Sequence, residues 1–261
     1  MAKFTFLGTG TSTGIPLLGC QCHTCSSPDP RDQRLRSSVL LEIDQRLYTI
    51  DCGPDFRQQL LRAGVSNLSG ILFTHGHRDH TAGLDDIRAI NFIHDKALPI
   101  YLTEELLEQL KFDFRYMFDE NNKYPGVGEV EIHHFDDKPF FLPEDVAVQP
   151  IPVWHGHLPV HGFRIGNLAY ITDASIIPEK TWPLLEGIEI LIINALRDAP
   201  HHSHFTVAQA IEISEQLGNP TTYFTHIAHQ FGRYAERNPQ FPSHIQMAYD
   251  GLTIEFDPSW T

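Results

Sequence analysis

The sequence predicts an α/β fold, and two observations carry that prediction. Short segments rich in Val, Ile, Leu, Phe and Tyr, bounded by Gly, Pro, Asp or Asn, recur along the chain and are interspersed with stretches whose apolar residues follow helical spacing. Their order is hairpins, then mixed βα units, then hairpins, then βα units again, with no low-complexity linker between them. The 261 residues, 41% hydrophobic and 20% charged, suffice for a single domain spanning 1–261 that buries a core without staples.

Residues 3–7 alternate polar and apolar and form the first strand. The glycines that follow, Gly8, Gly10 and Gly14, are spaced G-x-G-x-x-x-G, and Ile15-Pro16 blocks the helix that a dinucleotide fingerprint must open, so a tight functional loop is expected. Segments 37–42 and 46–51 flank the turn-like Asp44-Gln45 and read as a hairpin, which Gly53-Pro54 ends. Helical spacing over 56–63 closes at Gly64, and 70–74 is a short buried strand. Residues 84–93 predict an amphipathic helix with Asp85 and Asp86 at its N-terminus.

A strand at 99–102 leads to Thr103, which caps a helix. The aromatic-rich patch Phe112, Phe114, Tyr116, Met117 and Phe118 reads as core or as packing against a second subunit, which leaves a homodimer open, or else as a substrate-side wall. A loop over 121–128 precedes strands at 130–134, 146–153, 160–165 and 168–172, the last two joined at Gly166-Asn167. His133 and His134 lack partner spacing and are incidental. Then come a helix at 178–185, a strand at 188–194, a helix at 206–217, a strand at 221–225 and a final pair of strands at 245–249 and 252–256.

The net charge of −14 disfavours nucleic acid as a partner, because such enzymes generally carry a basic field, and favours a small substrate. Carboxylates that ligate metals would account for part of that acidity. The start of the chain lacks a signal-peptide pattern, and no stretch reaches the ~18 apolar residues of a membrane span. No membrane partner and a cytoplasmic location are therefore expected. Three of the four cysteines fall in Cys20-Gln21-Cys22-His23-Thr24-Cys25, too tight for paired bridges and better matched to tetrahedral structural zinc with a distant fourth ligand. Cys52 reads as a small core residue.

Chemistry concentrates in Thr74-His75-Gly76-His77-Arg78-Asp79-His80. In extended backbone, residues two apart share a face, so His75 and His77 can grip one cation, while Asp79 and His80 follow where the chain turns toward a second. The run H-x-H-x-D-H resembles the signature of the metallo-β-lactamase superfamily. That resemblance implies a four-layer αβ/βα sandwich with two mixed β-sheets and a two-metal site at one sheet edge. It also points to a third ligand for the first metal at His155, with His157 two residues on as its competitor. Asp173 ends the next strand with a carboxylate whose two oxygens can bridge two cations, and His226 ends a late one. The assignment is His75, His77 and His155 on one metal, Asp79, His80 and His226 on the other, and Asp173 shared. Zn, Mn or Fe suits these donors. A hydroxide held between two such ions makes hydrolysis the reaction class, and no G-x-S-x-G elbow competes.

Three further features, the Gly8-Thr9-Gly10 opening, the cysteine cluster and Thr225-His226-Ile227-Ala228-His229-Gln230-Phe231, resemble the phosphoribosyl cyclic phosphodiesterase family of phosphonate degradation. The resemblance implies a structural zinc on Cys20, Cys22, Cys25 and His229, and a small cyclic phosphodiester substrate opened by a metal-bridging hydroxide. His204 matches that family's candidate general acid, with His201 and His202 as alternatives, and His204 and Asp79 are the catalytic candidates. Arg197 either meets a phosphate oxygen or is structural. Rival readings are a ribonuclease Z-like processing enzyme for transfer RNA, which shares the metal motif and the Gly-Thr-Gly opening, a lactonase or thioesterase, and a non-catalytic metal-binding protein.

Overall fold

The computed structural model describes residues 1–119 and 123–259, so residues 121 and 122 of the loop expected at 121–128 lie outside the described residues. Strands β1 (Ala2–Gly8), β2 (Ser38–Ile43) and β3 (Arg46–Ile50) form an antiparallel meander, and Asp44 and Gln45 make the β2–β3 turn at positive φ. After α1 (Phe56–Arg62), β4 (Gly70–Leu72) runs parallel to β3. Next come α2 (Arg78–Thr81), α3 (Arg88–His94), β5 (Leu98–Leu102), α4 (Glu104–Asp113), α5 (Arg115–Phe118) and β6 (Val130–His134). β5 and β6 extend the parallel half of the first sheet.

The second sheet repeats that plan. An antiparallel meander of β7 (Phe140–Leu142), β8 (Val146–His155), β9 (Leu158–Ile165) and β10 (Leu168–Ile171) continues into parallel β11 (Ile190–Asn194), β12 (Thr221–Thr225) and β13 (Ile245–Met247). Helix α6 (Val207–Gln216) connects β11 to β12, and its N-cap Thr206 makes a reciprocal capping box with Gln209. The short α7 (Tyr234–Arg237) precedes β13, and β14 (Thr253–Phe256) returns to pair with β1 in the first sheet. Among the described residues each sheet has seven strands.

Alternation along the strands sorts the side chains into three apolar layers. Phe4, Phe6, Tyr48, Phe163 and Tyr170 fill the space between the sheets. Phe56, Ile87, Leu106 and Leu110 lie between the first sheet and its helices, and Leu185, Ala210 and Ile213 lie between the second sheet and its own. Helices outside two face-to-face mixed sheets make the four-layer αβ/βα sandwich that the motifs implied. No helix among the described residues is long and apolar enough to cross a membrane.

Departures from the expected elements have local causes. The 84–93 helix divides into a 3₁₀ turn, Leu84–Ile87, and α3, leaving Phe92 at 88% and Ile93 at 69% exposure. The 178–185 helix is 3₁₀, Glu179–Leu185, with Pro183 inside it, where the ring removes an α-helical donor. β7 was not anticipated, because three residues after Lys138-Pro139 are too few for periodicity to register. The two final strands do not pair with each other: β13 joins β12 and β14 joins β1. In the aromatic patch Phe114 and Met117 are core while Phe112 is 86% exposed.

Candidate functional site

Strands β3 and β4 point one way in the first sheet, and β8, β10 and β12 run together in the second, so their carboxyl ends share one edge of the sandwich. Ligand sites in α/β sheets form at such ends. The loop after β4 supplies His75 and His77 from extended chain and then turns into α2, whose first turn carries Asp79 and His80. Only glycine lets this loop settle over the end of β3, since a Cβ on Gly53 would collide with the Asp79 carbonyl. β8 ends on His155, Asp173 follows β10, and His226 follows β12 at a φ of 54°.

These side chains converge into two overlapping groups, His75–His77–His155–Asp173 and Asp79–His80–Asp173–His226, each with its candidate donor atoms within 4.8 Å of one another. The His75 ring lies 4.7 Å from that of His77 and 5.6 Å from that of His155. Asp173 belongs to both groups: its Oδ2 is 3.9 Å from His75 Nε2 and 3.2 Å from His80 Nε2, and its Oδ1 is 3.0 Å from His226 Nδ1.

Hydrogen bonds assign the imidazole tautomers. The Thr74 hydroxyl donates to Asp51 Oδ2 (2.8 Å), so toward His75 Nδ1 (2.9 Å) it can only accept. His80 Nδ1 donates to Asp51 Oδ2 (2.7 Å) and His155 Nδ1 to the Ser203 carbonyl (2.6 Å). All three rings therefore turn Nε2 inward, and Nε2 of His75 and of His80 is buried with no aligned hydrogen-bond partner. Unpartnered buried ring nitrogens around a shared carboxylate are what a cation site requires, so the residues fit divalent metal ions.

Electrostatics agree. Burial, helped by the neighbouring imidazoles, holds His75 well below the usual histidine range, and burial lowers His155. His80 goes the other way: burial opposes its charge, but Asp173, Asp51 and Asp79 together push it well above that range. Asp173 is held well below the carboxylate range although burial opposes this, because His226 and His80 outweigh it. The carboxylates thus demand positive charge at this spot, which a proton on His80 supplies in the metal-free chain and a cation would replace. His204 stacks on His226 at 4.8 Å and tilts against His155 at 4.6 Å, and burial pushes it down to about 2, leaving it neutral.

A second donor cluster lies beyond the first. Sγ of Cys20, Cys22 and Cys25 sit 3.5, 3.3 and 3.6 Å from His229 Nδ1. The Cys25 N–H and His229 bring Cys22 down to about 6 against the effect of burial, while burial pushes Cys25 up to about 11. The cysteines are free thiols, and this cluster too can hold a metal ion.

Other expectations separate cleanly. His157 points to solvent from the turn after His155, where Gly156 takes a φ of 63°. His201 lies 5.0 Å from His204, and His202 is exposed. Arg197 turns its guanidinium onto its own loop, toward the Ala199 and Pro200 carbonyls. His133 and His134 pair with Glu131 and Glu104 and belong to neither donor group. Cys52 is fully buried in the core. Asp51, absent from the donors expected from sequence, accepts from the Thr74 N–H, the Thr74 hydroxyl and His80 Nδ1. Its one sequence signal is a carboxylate set between Ile50 and Cys52 at the end of an apolar strand.

An αβ/βα sandwich with such donors at its edge defines a class of metal-dependent hydrolases. The chain belongs to the β-lactamase superfamily: residues 46–227 match the family described as β-lactamase superfamily domain. An octanoyltransferase of Porphyromonas gingivalis is 38% identical over 96% of this chain, which spans about half (51%) of that relative's length. A ribonuclease Z of Mycobacterium bovis is 24% identical over 99% of both chains. The crystal structure of a diphosphatase from the PhnP family superposes with a TM-score of 0.92 at 41% identity, covering 100% of each chain.

Proposed function

We propose that this hydrolase acts as a single domain on small phosphodiesters, cyclic ones above all, with two divalent cations at the edge of the sandwich. His75, His77 and His155 would hold one ion, Asp79, His80 and His226 the other, and Asp173 both; zinc, manganese or iron suits the donors. Such a pair, when bound, polarises phosphoryl oxygens and lowers the pKa of the attacking water. The chain's own residues do the positioning: Asp51, Thr74 and the Ser203 carbonyl fix the imidazoles before substrate arrives. His204, packed against one imidazole from each group, is the proposed group that passes a proton to the leaving oxygen, a proton that it, neutral at rest, must first take up; Asp79 is the second catalytic candidate. Beside His75 opens a cleft of about 630 Å³, lined by Gly76, Gln109, Phe135, Lys138 and His161, of a size for a small organic substituent.

One observation carries the phosphorus-centred reading: the end-to-end likeness to a diphosphatase at 41% identity. A second reading, ribonuclease Z-like cleavage of transfer RNA, has the full-length 24% likeness in its favour and the net charge of −14 against it. Metal-loaded protein should be assayed side by side on a cyclic ribose phosphodiester, a nucleoside diphosphate, precursor transfer RNA, a lactone and a thioester. Turnover of the cyclic diester is expected. Cleavage of transfer RNA without diester turnover would move the assignment to the second reading.

The cysteine cluster would hold a structural zinc with His229. It ties the N-terminal loop to the segment that carries His226 three residues earlier, so its loss should be felt as stability. Cys22→Ser is expected to release one equivalent of zinc and to lower the thermal midpoint by about 2–4 °C for each kcal/mol lost. Metal analysis and calorimetry check this, and unchanged zinc content would remove the structural site.

A further inference from the structure

Two hydroxyls meet opposite nitrogens of the His226 ring, one from the glycine loop and one from the strand entry facing it. Ser37, 1% exposed, places its Oγ 3.0 Å from the Gly10 carbonyl and 3.1 Å from His226 Nδ1. Thr11 Oγ1 lies 3.1 Å from Nε2 of the same ring. A hydroxyl has one proton and a carbonyl can only accept, so Ser37 donates to Gly10 and accepts from the imidazole. Nδ1 therefore carries the hydrogen and Nε2 the lone pair, which takes the Thr11 proton. Asp173 Oδ1, 3.0 Å from Nδ1, accepts the same N–H and also takes the Thr172 hydroxyl, so it acts in the same sense. Backbone bonds hold the loop against the ring: Thr11 N donates to Ile227 O (3.0 Å) and Ile227 N to Thr9 O (2.9 Å).

We infer that Ser37 is a positioning residue for the second cation: it fixes the tautomer of His226 so that Nε2 is the nitrogen offered, while Thr11 occupies that nitrogen until a cation takes it. The inference rests on the dinuclear reading above. It gives the two hydroxyls opposite consequences. Losing the Ser37 acceptor leaves that hydrogen to Asp173, an oxygen the cations would also claim, so the ring is held less firmly, and losses of such outer partners weaken metal binding about 10- to 100-fold. Losing the Thr11 hydroxyl removes a competitor for Nε2 and leaves affinity unchanged or tighter.

Zinc titration calorimetry on metal-stripped unmodified protein, Ser37→Ala, Ser37→Thr and Thr11→Val tests this, together with nitrogen NMR of the histidine rings in the zinc-loaded unmodified chain. Ser37→Ala should weaken one active-site ion about 10- to 100-fold and spare the other, Ser37→Thr should recover most of the loss, and Thr11→Val should bind no more weakly than the unmodified chain. His226 should show a protonated Nδ1 and a coordinated Nε2. Undiminished affinity in Ser37→Ala, equal weakening by Thr11→Val, or coordination through Nδ1 overturns the inference. The ring spectrum decides it if Ser37→Ala does not fold. An unmodified chain that binds no second active-site ion removes the dinuclear reading and this inference with it.

Discussion

Asp173→Ala is expected to lower kcat/KM of the metal-loaded enzyme by at least about a thousandfold, roughly 4 kcal/mol of transition-state stabilisation. Among the described residues Asp173 is the one side chain common to both donor groups, and a neutral imidazole offers a single lone-pair nitrogen where a carboxylate has two oxygens to serve two ions. Removing it takes a candidate donor from each group and a buried negative charge from between His80 and His226. Asp173→Asn separates these effects, because it preserves shape and one carbonyl oxygen while losing the charge. It should fall nearly as far as alanine, since the rings around it require a carboxylate rather than a volume. Steady-state rates measured alongside metal content per chain provide the check. An Asp173→Asn enzyme that holds two active-site ions and keeps activity within tenfold would show that the carboxylate does not bridge them.

How much of this site was readable beforehand follows from how far apart in the chain each contact is made. His75, His77, Asp79 and His80 lie within six residues, so a strand end and a turn suffice to gather them, and the sequence carries both signals. His155 and His157 share a strand direction, and what separates them is the positive φ at Gly156, which sends the second into solvent. Asp51 reads only as the end of the 46–51 strand because its partners, Thr74 and His80, stand 23 and 29 residues later and reach it only when the loop after β4 folds over β3. Ser37 is less legible still, since His226 is 189 residues away. The α/β order survived in the same manner: strands of five or more residues announced themselves, whereas β7 and the two 3₁₀ segments depended on a proline or on packing that local periodicity does not record.

Asp51 should therefore matter for folding as much as for chemistry. The residue is fully buried, and burial raises its carboxyl against the pull of His80 and the Thr74 bonds. Asp51→Ala leaves the Thr74 N–H, the Thr74 hydroxyl and His80 Nδ1 without an acceptor, and stranding one member of a buried ion pair costs about 3–5 kcal/mol. The backbone adds to that, since Asp51 has a φ of 64°, where alanine is strained by about 1–2 kcal/mol and asparagine is tolerated. Asp51→Asn should thus fold, keeping its one carbonyl oxygen as acceptor for the Thr74 N–H, but its NH2 then faces His80 Nδ1 donor to donor. The His80 ring is then free to turn, and affinity for the second ion should drop about 10- to 100-fold. Denaturant unfolding of the metal-free variants and zinc titration of Asp51→Asn measure the two effects separately. Full stability in Asp51→Ala would mean that the network beneath His80 is not what closes the loop after β4 onto the first sheet.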